Sequence, residues 1–393
     1  MNERSVLFVG HEASRTGAPM ALLHFMRWFQ QTVGWPFSCL LRRGGELTSE
    51  FAALCPTDVV DENIWRPGAL RDRLLSKLQL QKLSRSLHES SLMRRQKARP
   101  DLIYCNTIAA LPALEIAAQN GARVVCHVHE LQISFRSGVG PVASKRVLDL
   151  TTRFIACSHA VAQNLIERHG VAPERIDVVH EYIPTAEATG MNRSENRRLL
   201  REKLGLSEDT LIVGGSGMYG WRKGTDLFVQ VAKRVRRLRP DLKVHFLWLG
   251  GSLNSPSGHE FLQDIENTDQ TAQITVIGSQ PDPIRYFSGL DLFLLPSRED
   301  PYPLVCLEAA ACGVPMVCFE RAGGMPEFVE SDAGEVVPYL DIDAMASSVI
   351  GLLEDQKRRQ RFGIAAREKV ISRHDIAVSA PKLLQAMERT LAK

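Results

Sequence analysis

The chain has 393 residues, enough for two domains of ordinary size with separate cores. Charge is nearly balanced, 48 basic residues against 45 acidic, which carries no signature of nucleic-acid binding. Eight cysteines are scattered without a C-x-x-C pair, most inside apolar runs, so buried thiols in a reducing cytosol are expected rather than disulfides or zinc.

The amino terminus runs straight into a short apolar segment, with no cleavable leader pattern. No stretch approaches the ~18 continuous apolar residues of a membrane span. A cytoplasmic chain is expected. Strands are predicted at 5–10, 36–41, 57–60, 101–105, 122–128, 153–157 and 176–179, then at 211–215, 243–249, 273–277, 291–295 and 316–319. Helical periodicity lies between them, as in 225–238, where Leu227, Phe228, Val231, Val235 and Leu238 recur three and four apart. Repeated strand–helix alternation predicts an α/β chain of two doubly wound, Rossmann-like domains. The boundary is expected in the polar stretch near 185–205, giving domains 1–190 and 205–372 and a final amphipathic segment 373–393 marked by Leu383, Leu384, Met387 and Leu391.

In chain order, the first strand ends in Gly10-His11-Glu12-Ala13-Ser14-Arg15-Thr16-Gly17, and a helix is expected from about Met20 to Phe29. Gly17 lets backbone approach a ligand at a strand end, and Arg15 is a candidate anion contact. Residues 65–99 interleave leucines with ten basic residues, Arg66 to Arg99, against Asp72 and Glu89. That cationic, amphipathic segment suits either an anionic membrane surface or a solvated helical excursion, and its want of aromatics beyond Trp65 argues against nucleic acid. Strand 122–128 leads into His127-Val128-His129-Glu130, with both histidines on one face. No third ligand of sensible spacing follows, so no metal site is expected. Ser158, after strand 153–157, is placed to cap a helix.

The second half opens with strand 211–215 and the loop Gly215-Ser216-Gly217-Met218-Tyr219-Gly220-Trp221-Arg222-Lys223-Gly224. Its glycines match a dinucleotide fingerprint only formally. The acid required after the next strand is missing, since that strand ends in Leu249-Gly250-Gly251. Strand 291–295 ends at Pro296, and the loop Ser297–Pro303 holds Arg298, Glu299 and Asp300. A helix is expected over 304–311, stopped by Gly313 and Pro315, then a strand over 316–319 and a turn at Gly323-Gly324. Ligands in such sheets bind at the carboxyl ends of strands, and the unpaired amides of a helix start favour an anion. Asp300 and Glu308, with seven residues between them, offer acceptors to sugar hydroxyls.

Those last motifs resemble retaining glycosyltransferases of family 4, which pair two acids with seven residues between them and follow them with Ala and Gly-x-Pro. The turn Gly323 to Glu327 matches as well. The resemblance implies the GT-B fold: two Rossmann-like domains facing a cleft, with a carboxyl-terminal helix crossing back to the first. It implies transfer of a hexose-type sugar from a UDP- or GDP-sugar, without metal or other cofactor, to a glycan, lipid-linked or small-molecule acceptor. Many relatives act in polysaccharide biosynthesis at the inner face of a membrane, where 65–99 would make peripheral contact.

Carried onto this sequence, the resemblance makes His129, Lys223, Arg222 and Asp300 the catalytic set. Donor contacts fall on Gly17, Gly217, Lys223, Glu299, Asp300, Pro303, Leu304, Val305, Glu308, Gly323 and Gly324. Arg15, Thr16 and Glu130 are acceptor-side candidates. Two departures stand out: the first acid, usually Glu, is Asp300, with Glu299 one residue early, and the usual Arg five residues before the lysine is Met218, for which Arg222 is the substitute. A phosphorylase of the same architecture, a non-catalytic nucleotide-sugar-binding scaffold and a nicotinamide-dependent oxidoreductase remain as alternatives.

Overall fold

A computed structural model describes residues 4–60, 99–119 and 121–392. The amphipathic segment 65–99 therefore lies outside the described residues except for Arg99. The chain forms two compact units, residues 1–180 with 379–393, and residues 181–378.

In the first unit, β1 (Val6–Gly10), β2 (Phe37–Leu41), β3 (Thr57–Val59), β4 (Leu102–Cys105), β5 (Arg123–Val128), β6 (Arg153–Ala156) and β7 (Ile176–Val178) form one parallel sheet. Their order is β3-β2-β1-β4-β5-β6-β7. The direction of winding therefore reverses between β1 and β4, the place where doubly wound sheets open a crevice. Phe8 of β1 sits between Phe25, Phe29 and Tyr104 at centroid distances of 5.4–5.9 Å, an edge-to-face cluster that fixes helix Gly17–Thr32 on the sheet. That helix starts a turn before the expected Met20, because Pro19 is tolerated where an amide has no helical partner.

Ser158 caps helix His159–His169, its hydroxyl accepting from the Val161 amide at 3.1 Å. Gly170, left-handed at φ 65°, ends the helix. Ser158→Ala is expected to lower stability by about 1 kcal/mol, read as a fall in denaturant midpoint at unchanged slope. An unchanged midpoint would mean that the cap contributes nothing.

The second unit repeats the plan with β8 (Leu211–Ser216), β9 (Val244–Leu249), β10 (Ile274–Ile277), β11 (Leu292–Leu295), β12 (Met316–Phe319) and β13 (Gly334–Val337). Their order is β10-β9-β8-β11-β12-β13, so its switch lies between β8 and β11. Among the described residues, twelve of the thirteen strands fall where the sequence places them. β13, an edge strand reading Gly-Glu-Val-Val with a half-buried centre, lacks the apolar run that marks the others.

The polar stretch expected near the domain boundary is instead a helix of the second unit, Arg193–Leu204, capped by Asn192 and ended by Gly205 at φ 66°. Its arginines recur every fourth residue on one face. Arg193 donates to the carbonyls of Leu290 and Cys312, and Arg197 and Arg201 pair with the fully buried Asp291. Asp291 also accepts from the Ile212 amide at 2.8 Å, so the pair anchors the helix beneath β8.

The carboxyl-terminal helix is Ile376–Ala392, and from Ser379 it belongs to the first unit. Arg123 donates to its final carbonyls, Thr390 and Leu391, at 2.9 and 2.7 Å, and Arg389 joins Arg153 on Asp177. All eight cysteines are buried free thiols. Among the described residues, no helix is long and apolar enough to cross a membrane.

Candidate functional site

At the switch point of the second sheet, three loops interlock. The loop after β8 folds back on itself: Gly217 donates to Leu249 O and accepts from Trp248 Nε1, both at 3.0 Å. Gly217 has φ 141°, and a Cβ there would stand 2.9 Å from Lys223 Cε, so the missing side chain is the groove in which the lysine stem lies. Gly224, at φ 68°, passes so close to β11 that a Cβ would meet Pro296 O at 2.1 Å. The Arg222 carbonyl then accepts from the Arg298 amide at 2.9 Å. Arg298 completes the joint with a two-bond grip on Asp226 and a face-on approach to the Trp221 ring at 5.4 Å.

The third loop clamps the second. Asp300 N donates to Ala322 O at 2.6 Å, and Gly324 N donates to Pro301 O at 2.9 Å. Gly323 is pressed against the Asp300 backbone, where a Cβ would fall 1.7 Å from the carbonyl oxygen.

This lock delivers the charges. Asp300 is buried, with Lys223 Nζ 2.6 Å and Ser297 Oγ 3.1 Å from Oδ2 and Arg222 3.6 Å from Oδ1. Burial alone would push its carboxyl up, but Lys223 and Arg222 outweigh it and hold the group below the usual carboxylate range. Arg222 is thus on the same acid as Lys223. Glu299 is half-buried beside them, its backbone carbonyl 3.4 Å from Arg222.

Helix Leu304–Ala311 starts directly after this loop, with Pro303 at its cap position and no side chain covering the first amides. Leu304 and Val305 therefore present N–H groups at a helix start. One turn on, Glu308 is half-buried, and burial, with Glu187 nearby, pushes its carboxyl up to about 7. Buried Cys306 feels the charges of Asp300, Lys223 and Glu308 together, so the four share one neighbourhood.

The raised Glu308 has a consequence for stability. An unfolded glutamate titrates near 4.3, so the native state holds the proton longer, and stability drains away as pH rises from about 4 to 7. Glu308→Gln removes that slope. The variant is expected to melt at a wild-type temperature near pH 4.5 and to be more stable at pH 8, by on the order of 2 kcal/mol. A variant no more stable at pH 8 would contradict the assignment.

In the first unit, His129 follows β5 and Asn106 follows β4, at the switch between β1 and β4. His129 Nε2 lies 3.2 Å from Asn106 Oδ1, and its ring lies 4.0 Å from that of His127. His127 is fully buried, bonds Tyr104 through Nδ1 at 2.7 Å and is held neutral by burial and by its neighbour His129.

Glu130 is placed differently from its acceptor-side reading. It accepts from the Thr107 hydroxyl and the His129 amide and caps the turn at Ile108, a clamp on Thr107 in its unusual φ of 151°. Arg15 also points elsewhere: its guanidinium pairs with Glu50 at 2.9 Å and Glu46 at 3.8 Å. Thr16 bonds Ser14, which donates to Glu12, and Gly17 starts its helix with open space where a Cβ would stand.

Two residues the sequence reading passed over join this group. Asn106 ties His129 to the first turn of helix Gly17–Thr32, and His11, lowered by burial despite Glu12, is also depressed by His129, Arg42 and Arg43. Their only sequence signal is position at the ends of β1 and β4.

The sequence profile of "Glycosyl transferases group 1" matches residues 196–369, and that of "Glycosyltransferase Family 4" matches residues 34–187. The chain belongs to the group 1 glycosyltransferases of family 4. Among relatives of this family, the D-inositol 3-phosphate glycosyltransferase of Mycobacterium marinum is 30% identical over 220 residues, 56% of this chain and 46% of that protein. The enzyme of the same name from Pseudarthrobacter chlorophenolicus is 26% identical over 287 residues, 70% of this chain and 67% of the other. The chain thus spans about half the length of the first of these relatives and two thirds of the second.

The crystal structure of Anabaena HepE with UDP and glucose superposes with a TM-score of 0.80 at 20% identity, covering 98% of this chain and 99% of that one. Sucrose-phosphate synthase from Thermosynechococcus elongatus gives 0.76 at 17% identity, over 99% of each. These likenesses carry the GT-B fold expected of a family member.

Proposed function

We propose that this group 1 glycosyltransferase moves a hexose from a nucleoside-diphosphate sugar to a hydroxyl acceptor, without metal and with retention. The observation that carries the reading is the Lys223–Asp300–Arg222 cluster beside a bare helix start and Glu308, all at one switch point. Glu308, ionised, accepts from the ribose hydroxyls. The Leu304 and Val305 amides and the Lys223 and Arg222 cations take the diphosphate. Asp300 fixes those cations and, with the Gly323–Gly324 turn, positions the sugar.

As the anomeric C–O bond breaks, charge collects on the leaving phosphate, where these preorganised donors stabilise it. The acceptor oxygen bonds to the same face of the anomeric carbon and passes its proton to the departing phosphate oxygen. No carboxylate is assigned as nucleophile. The acceptor belongs to the first unit, near His129. Relatives named for D-inositol 3-phosphate make that polyol phosphate the first small acceptor to try, alongside lipid-linked glycans.

HepE's complex with UDP makes a uridine donor the first candidate. Incubation with UDP-glucose, UDP-N-acetylglucosamine and GDP-mannose in EDTA should release one nucleoside diphosphate and give a product with the donor's anomeric configuration by NMR. An inverted product would overturn retention. Donor binding without turnover under all acceptors would favour the scaffold reading, and turnover of a sugar phosphate without nucleotide would favour the phosphorylase. For the segment 65–99, sedimentation with anionic but not neutral vesicles is expected, and loss of sedimentation on deletion of 65–98 would locate the contact.

A further inference from the structure

Asn106 is 1% exposed and joins three elements. Its backbone amide donates to Val9 O of β1 at 2.8 Å, its side-chain Nδ2 donates to Ala18 O at 2.8 Å, and its Oδ1 faces His129 Nε2 at 3.2 Å. The amide's orientation follows from the first of these side-chain contacts. A backbone carbonyl can only accept, so the NH₂ group must point at Ala18, and a flipped amide would set two oxygens against each other. Oδ1 therefore faces the imidazole, and an amide oxygen can only accept. Nε2 of His129 must then carry a proton.

We infer that Asn106 is a positioning residue for His129, holding a proton on its Nε2 and tying the ring to the first turn of helix Gly17–Thr32. The inference rests on the proposed placement of His129 beside the acceptor only for its effect on turnover. The next residues along both strands repeat the connection. Glu130 receives the Thr107 hydroxyl and the His129 amide, so residues 106–107 and 129–130 are bonded twice across the ends of β4 and β5. On the other side, the His127 ring, itself held by Tyr104, packs at 4.0 Å and limits rotation of His129. Rotation would break the Asn106 contact and leave a buried amide oxygen unpaired, which costs about 1–3 kcal/mol. The His129 ring is thus held in one orientation, with its Nε2–H turned to Asn106.

The test reads the tautomer directly, by long-range proton–nitrogen correlation spectra of protein labelled with ¹⁵N-histidine, with His129→Gln assigning the signal. The wild type is expected to show a single Nε2–H form at neutral pH. Asn106→Ala should convert it to a mixture, whereas Asn106→Asp, which still accepts from His129, should keep the Nε2–H form. A wild-type Nδ1–H form, a wild-type mixture or an unchanged spectrum in Asn106→Ala would overturn the inference, and the wild-type arm does not depend on Asn106→Ala folding.

Turnover supplies the second readout. Asn106→Ala is expected to lower kcat about tenfold with little change in donor KM, and to add nothing in a His129→Ala background; full additivity of the two losses would remove the functional link. If no transfer is found with any donor, the proposed function fails while the spectra still decide the tautomer.

Discussion

Lys223→Ala is expected to reduce kcat by roughly two to three orders of magnitude and also to destabilise the second unit. The rate loss follows from removing one preorganised cation at the developing phosphate charge, which is about 2.7–4 kcal/mol in comparable sites. The stability loss has a separate cause. Lys223 Nζ lies 2.6 Å from the Asp300 carboxylate, which is 4% exposed, and the only other cation on that acid among the described residues, Arg222, is 3.6 Å away and partly in solvent. Removing Lys223 leaves a buried charge half-compensated, at about 3 kcal/mol.

The two losses separate in a double variant. Lys223→Ala with Asp300→Asn removes the unpaired charge, so stability should recover towards wild type while activity stays lost. Recovery of both would mean that the lysine acts only through Asp300. The pair also sets an acid limit. With its folded pKa depressed, Asp300 contributes stability that is present above about pH 4 and lost as pH falls through the folded value.

Gly323→Ala should be the most damaging glycine-to-alanine change among the described residues. The residue has φ 139°, which L side chains rarely adopt, and its Cβ would overlap the Asp300 carbonyl oxygen at 1.7 Å. Neither atom can yield alone, because the Asp300 amide is bonded to Ala322 O and Gly324 N to Pro301 O across the same contact. A loss of at least about 4 kcal/mol is expected, seen as early unfolding of the second unit and absence of nucleotide binding.

Gly17→Ala provides the contrast. A Cβ there meets nothing, and φ is unexceptional, so stability should change by no more than about 0.5 kcal/mol. A fall in donor affinity or turnover in that well-folded variant would mark Gly17 as a place of ligand approach. Unchanged kinetics would remove it from the site.

The strands and the second-unit loops are legible in the sequence because each rests on a strong local signal. Short apolar runs mark β8, β11 and β12, and Gly217, Gly224 and Gly323 stand where backbone passes within 3 Å of backbone or of the lysine stem. Lys223, Asp300 and Glu308 follow from the loops that carry them.

What escapes is decided by long-range pairing. Arg193, Arg197 and Arg201 look like a solvated linker until Asp291, some ninety residues on, is seen to accept from two of them. Glu130 reads as an open acid until Thr107 comes up beneath it, and Arg15 as an anion contact until Glu50 neutralises it. Asn106 has no motif at all. Its meaning comes from the β1–β4–β5 order, which puts Ala18 and His129 on either side of one amide.

The central claim is that the β8–β11 switch point binds a nucleoside diphosphate through Lys223 and Glu308. Calorimetric titration of the whole chain in EDTA with UDP, GDP, ADP and NAD tests it most directly. One nucleoside diphosphate should bind, with affinity falling about tenfold or more in Lys223→Ala and in Glu308→Ala. Binding of NAD alone, or nucleotide binding indifferent to both substitutions, would contradict the account.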